Sequence, residues 1–169
     1  MKEITVELTN YCPNDCKFCS SNATTDEEEA IFIKPKQVRD ILRNQTYDRI
    51  IISGGEPLSH PQFWDILQIC KQHTEDVFLY SNAITHLAYN PHVIDGVYLE
   101  ANITVTPETD KIHILRRVKQ GREANRPEVV LSSTSPDKCS KCNKCNHMVI
   151  RPNGMIAKAP CDKWTKEEE

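Results

Sequence analysis

The chain has 169 residues, a net charge of -3, 38% hydrophobic and 27% charged residues, and eight cysteines. That length suits one domain, or one domain with a small appendage, and buries a real core; the weakly acidic balance gives no general pull toward nucleic acid. No apolar run nears the roughly 18 residues of a membrane span, and the opening MKEITVELTN alternates polar and apolar residues where a secretory segment is continuously apolar. The expected setting is therefore cytoplasmic, where thiols stay reduced and eight cysteines point to metal or redox chemistry instead of disulfides.

In chain order, ITVELT (4–9), RIIISG (49–54), DVFLYS (76–81), GVYLEANI (96–103) and EVVLSS (128–133) read as strands, rich in Val, Ile, Leu and Tyr. Helices fall between them. KPKQVRDILRNQ carries Val38, Ile41 and Leu42 at helical spacing behind Pro35, and SHPQFWDILQICKQH puts Phe63, Ile66, Leu67 and Cys70 on one face behind Pro61. TPETDKIHILRRVKQG predicts a third helix, with Thr106 as N-cap, Pro107 in the first turn and Gly121 at the stop. Repeated strand, helix, strand implies right-handed crossovers and a parallel sheet. With about five to six strands this is an α/β fold of the open, partial parallel β/α barrel type. After Pro136 the composition changes: residues 136–169 hold four of the eight cysteines but too little apolar residue for a core of their own. Within them HMVIRPNGMIAKA reads as a hairpin around Pro152, Asn153 and Gly154. The expected division is a core over 1–135 and a C-terminal metal-binding segment over 136–169.

Cys12, Cys16 and Cys19, spaced C-x3-C-x2-C, follow directly on the first strand, at the strand end where α/β folds build their sites. Three thiolates in a tight loop can hold three corners of a [4Fe-4S] cube and leave one iron open for a small molecule; a zinc site completed by a distant fourth ligand is the other reading. SGGEP, at 53–57, ends the second predicted strand. Gly54 and Gly55 permit close backbone approach, and Pro57 stiffens the exit.

These two motifs, in this order at successive strand ends, together with the aromatic Phe18 before the third cysteine, resemble the radical S-adenosylmethionine (radical SAM) superfamily. The resemblance implies that Cys12, Cys16 and Cys19 bind a [4Fe-4S] cluster whose open iron is chelated by S-adenosylmethionine, and that Gly54, Gly55, Glu56 and Pro57 hold the methionine ammonium. Ser81 and Asn82, at the third strand's end, are further candidates for the same cofactor and read equally as ordinary strand-end polar residues; Glu100 and Asn102 on the fourth strand are candidates for its ribose, with Glu100 reading first as a residue that points to solvent or to a core partner. Cys139, Cys142, Cys145 and Cys161 form a second set flanking the hairpin, suited to a fully ligated [4Fe-4S] cluster or to zinc. It loosely resembles the auxiliary-cluster extensions called SPASM and twitch domains. His147 is a substitute ligand or a solvated loop residue, and Cys70 reads as core.

The implied activity is reductive cleavage of S-adenosylmethionine to a 5'-deoxyadenosyl radical, which abstracts hydrogen from a peptide, protein or small-molecule substrate. Electrons would come from a flavodoxin or ferredoxin type donor. Two other readings stand beside it: an activating enzyme that installs a glycyl radical on a larger partner, and a non-catalytic zinc-binding module. The basic stretch Lys111, His113, Arg116, Arg117, Lys119, Arg122 and Arg126 reads as a solvated helix face before it reads as a grip for an acidic peptide or nucleic acid.

Overall fold

The computed structural model describes residues 2–16, 19, 21–81 and 148–157 in full and the strand backbones at 96–100 and 112–115. Strand β1 (Glu3–Glu7) leads through a long loop to helix α1 (Pro35–Leu42). Strand β2 (Arg49–Ser53), a single 3-10 turn (Pro57–Ser59), helix α2 (Phe63–Lys71) and strand β3 (Val77–Ser81) follow. Then come β4 (Gly96–Glu100), β5 (Ile112–Leu115), β6 (Met148–Ile150) and β7 (Ile156–Ala157). They form one seven-stranded sheet in the order β5-β4-β3-β2-β1-β6-β7. Every neighbouring pair from β5 to β6 is parallel, and only β7 runs antiparallel.

From β1 to β5 the strands lie side by side in chain order. A parallel sheet wound without reversal keeps its crossover helices on one face, as in a barrel, whereas a doubly wound sheet alternates them. The core agrees: Ile4, Val6 and Leu8, Ile50 and Ile52, Val77 and Leu79, and Ile150 pack with Val38 and Leu42 of α1 and Phe63, Ile66, Leu67 and Cys70 of α2. The residues between them on the strands, Thr5, Glu7, Ile51, Phe78 and Val149, stand by alternation on the opposite, inner face. Cys70 is fully buried and burial pushes its thiol up to about 12, as expected of a core cysteine.

The helix predicted over 106–121 is corrected by β5, because Ile112–Leu115 is a strand paired with β4 from Val97↔Ile112 to Glu100↔Leu115. The four-residue run Ile-His-Ile-Leu is short enough to satisfy both periods, and pairing with the edge of β4 decides the matter. Thr106, Pro107 and Gly121 lie outside the described residues, as do the strand expected over 128–133 and Lys111, Arg116, Arg117, Lys119, Arg122 and Arg126.

The predicted hairpin is present. Gly154 takes φ +86 in its turn, its N–H bonds the Arg151 carbonyl at 2.8 Å, and Arg151 N–H bonds the Met155 carbonyl at 2.8 Å. The first strand of this hairpin is β6, which lies parallel to β1 with Ile4↔Met148 and Val6↔Ile150 in register. Arg151 then pairs with Glu7 across the rim (2.6 Å). Among the described residues no helix is long and apolar enough to cross a membrane.

Candidate functional site

The loop after β1 is pinned at both ends. Leu8 N–H continues the ladder to the Ser53 carbonyl (2.8 Å), and Ile33 N–H bonds the Leu8 carbonyl (2.9 Å). Farther out, Thr24 N–H bonds the Asn10 carbonyl and Cys12 N–H the Thr24 carbonyl, both at 2.9 Å. Asn10 Oδ1 accepts from Ile31 N–H at 2.7 Å. The segment carrying the three cysteines is thereby held as a closed excursion above the sheet. Cys12 is buried at its root, and Cys16 and Cys19 are partly exposed.

The glycine motif is locked against this root by main-chain bonds. Gly55 N–H bonds the Thr9 carbonyl at 2.6 Å and Glu56 N–H the Tyr11 carbonyl at 2.8 Å. Neither glycine has room for a side chain. A Cβ on Gly54, whose φ is +146, would lie 2.6 Å from the Thr9 oxygen, and one on Gly55 would collide with the Tyr11 carbonyl. The close approach that these glycines allow is thus, first of all, the approach of one motif to the other. Pro57 opens the 3-10 turn, and Glu56 caps it by accepting Leu58 N–H at 3.1 Å.

Glu56 is fully buried, 0% exposed. Ser81 Oγ, at the end of β3, donates to both carboxylate oxygens at 3.1 and 3.2 Å. Sequence reasoning placed Glu56 and Ser81 separately near one cofactor; the fold brings them into contact across 25 residues. His60 was not anticipated. It is 4% exposed, its Nε2 donates to the Ile33 carbonyl (2.9 Å) and its Nδ1 accepts Gln62 N–H (3.0 Å). Burial lowers its pKa, partly offset by the bond to Ile33. With Phe32 edge-on to its ring at 5.4 Å, His60 ties the turn after Glu56 to the returning arm of the cysteine loop. No motif marks it, because both partners are main-chain groups.

The cysteines influence one another. Burial pushes the Cys12 thiol up to about 12; a backbone bond from Asn14 opposes this, and Glu56, Cys16 and Cys19 reinforce it. Cys19 Sγ accepts Ala23 N–H at 3.4 Å and lies 3.4 Å from Ser21 Oγ. A bound cation displaces the protons of thiols that ligate it. A [4Fe-4S] cube takes one sulfur at each of three separate corners, which suits three cysteines spaced along one loop. The loop also keeps one buried amide nitrogen, Asn14 Nδ2, without a partner among the described residues. A soft donor set, N–H groups aimed at sulfur and an orphaned donor fit an iron-sulfur cluster.

Phe18, Asn82 and Asn102 lie outside the described residues, as do Cys139, Cys142, Cys145, His147 and Cys161. Glu100 ends β4, where only the backbone is described.

A sequence model of the radical SAM superfamily matches residues 6–147. The chain belongs to that superfamily. Its members are enzymes, and membership implies a [4Fe-4S] cluster and S-adenosylmethionine. Among curated relatives, the mycofactocin maturase MftC of Mycobacterium tuberculosis is 30% identical over 112 residues, covering 59% of this chain and 29% of the maturase. The PqqA peptide cyclase of Bradyrhizobium diazoefficiens is 32% identical over 84 residues, 48% of this chain and 21% of the cyclase. The matches thus span less than a third of the length of these radical SAM relatives. The crystal structure of BtrN in complex with AdoMet and 2-DOIA superposes with a TM-score of 0.58 at 14% identity, covering 94% of this chain and 72% of BtrN. That likeness concerns the fold.

Proposed function

We propose that this chain is a radical SAM enzyme acting on a peptide. Cys12, Cys16 and Cys19 hold the open-site [4Fe-4S] cluster, and Glu56, with the backbone of Gly54, Gly55 and Pro57, receives the ammonium of S-adenosylmethionine. Once bound, cluster and cofactor supply reductive cleavage of the sulfonium and a radical able to abstract hydrogen from the substrate. The observation that carries this reading is the main-chain lock from Gly55 and Glu56 to Thr9 and Tyr11, which keeps a buried carboxylate beside the root of the cysteine loop. The chain's own part is placement: Glu56 is oriented by Leu58 N–H and Ser81 Oγ before any ligand arrives, so little ordering cost is left for binding. The peptide substrate is supported by the names of the maturase and the peptide cyclase.

The segment over 136–169 belongs to the same proposal, as a second metal site of Cys139, Cys142, Cys145 and Cys161 holding a full [4Fe-4S] cluster or zinc. Its support is the hairpin. Met148 and the residue after Ala157 leave from the same end of the sheet, so Cys145 and Cys161, three and four residues beyond the strands, are within reach of each other at about 3.5 Å per residue. A fully ligated cluster there would serve electron transfer or structure, since no iron is left open for substrate. A flavodoxin or ferredoxin type donor in a cytoplasmic setting completes the proposal.

Anaerobic reconstitution with iron and sulfide, followed by S-adenosylmethionine and dithionite, tests it. About eight irons per chain with 5'-deoxyadenosine formed supports both clusters; about four irons with product restricts the C-terminal cysteines to zinc or no metal. Folded protein that takes up no iron and forms no 5'-deoxyadenosine overturns the reading.

A further inference from the structure

Asn14 lies midway between Cys12 and Cys16, and neither motif accounts for it. Its backbone N–H bonds the Cys12 sulfur, while its side-chain Nδ2 is buried without a partner among the described residues. Buried donors are almost always satisfied, and leaving one unpaired costs a folded protein the desolvation of that group. Asn14 as a whole is half-buried, and it is the Nδ2 atom that is covered, within the loop that carries the three cysteines. Elsewhere in the loop Ala23 N–H donates to the Cys19 sulfur at 3.4 Å, and the Ser21 hydroxyl lies 3.4 Å from it.

We propose that the Asn14 side-chain amide donates a hydrogen bond to a sulfur of the cluster held by Cys12, Cys16 and Cys19 and thereby raises its reduction potential. The proposal rests on the reading that these cysteines bind a [4Fe-4S] cluster. Reduction adds one electron's charge to the cluster, and an N–H aimed at sulfur stabilises the more negative state.

The test uses the reconstituted full chain and Asn14→Leu, Asn14→Asp and Asn14→Gln, with the cluster potential measured by redox titration followed by electron paramagnetic resonance. Iron and sulfide content and thermal midpoint are recorded alongside. Loss of the donor in Asn14→Leu makes reduction about tenfold less favourable, a fall of 59 mV for a one-electron couple. Asn14→Asp, of the same shape with the donor replaced by a negative acceptor, shifts it at least as far, and Asn14→Gln restores part of the loss. Variants that load the cluster fully and keep the wild-type potential overturn the proposal and leave the cluster reading intact. A wild-type chain that takes up no iron overturns the cluster reading itself. A set in which no variant, glutamine included, incorporates iron overturns the proposal in favour of a purely structural Asn14.

Discussion

The two ends of the sheet differ in how closely main chain meets main chain. At the end where the parallel strands begin, main-chain bonds from Asp48 N–H to the Lys2 carbonyl (2.9 Å) and from Ile50 N–H to the Asp76 carbonyl (3.1 Å) are joined by a set of side-chain bonds. Arg49 reaches Asp76 at 2.7 Å and Glu3 at 3.4 Å and lies 4.3 Å over the Phe78 ring, while Asp48 takes the Lys2 N–H at 2.5 Å. At the end where the strands finish, Arg151 with Glu7 and Ser81 with Glu56 add side-chain bonds, but the two loops themselves are locked by main chain: Thr9 and Tyr11 carbonyls receive Gly55 and Glu56 N–H groups in a space closed to any Cβ. Long side chains re-aim when a neighbour changes, so the first end has slack. Backbone in contact has none, and the second end keeps two loops in one fixed relation, which a shared ligand needs.

The sharpest break of this contrast is Gly55→Ala. Its methyl collides with the Tyr11 carbonyl, and the cost should exceed about 3 kcal/mol, read by chemical denaturation, with loss of iron uptake on reconstitution. Retained stability and iron would show that the lock yields. Glu56→Gln comes next. It leaves the backbone lock in place but turns an amide toward the Leu58 and Ser81 donors, and S-adenosylmethionine affinity should fall about ten- to a hundredfold in equilibrium binding to the loaded enzyme. Unchanged affinity would move the ammonium site elsewhere. Arg49→Leu, at the opposite end, should cost about 1–2 kcal/mol, since its partners are only 23% and 31% exposed, and leave affinity for S-adenosylmethionine untouched. A drop in affinity there would mean that the two ends are coupled.

The smallest effect is that of pH on His60. Its folded pKa lies below the ordinary 6.5 because burial disfavours the cation, so the unfolded chain binds the proton more readily. Stability is full above about pH 6.5 and declines as pH falls below it toward the folded value. Thermal midpoints across pH 5 to 8 should show this decline, and His60→Asn should flatten it.

Legibility in the sequence followed the same division. The cysteines and SGGEP were readable because each is a local pattern that imposes its chemistry by spacing, and β1 to β4 because β-branched runs between turn residues have few alternatives. The hairpin was readable from Pro152, Asn153 and Gly154. What could not be read was long-range: that β6 lies against β1, that Arg151 meets Glu7, that His60 reaches back to Ile33. For Glu7 burial outweighs even the attached guanidinium and raises its pKa, an outcome that depends on which groups surround it and not on its neighbours in sequence. The strand at Ile112–Leu115 was misread for the same reason, since a vacant edge of β4 decided it.

The placement of β6 against β1 also sets an order of events during synthesis. Contacts such as Arg151 with Glu7 join residues 144 apart in the chain, so on the ribosome the strand that leads into the cysteine loop waits on the order of ten seconds, at about 5–20 residues per second, for its second neighbour. During that time one side of β1 is an open row of unpaired N–H and C=O groups, the kind of edge that recruits other chains. Closing that edge is a non-local pairing, and it falls to the hairpin that the second cysteine set flanks in sequence.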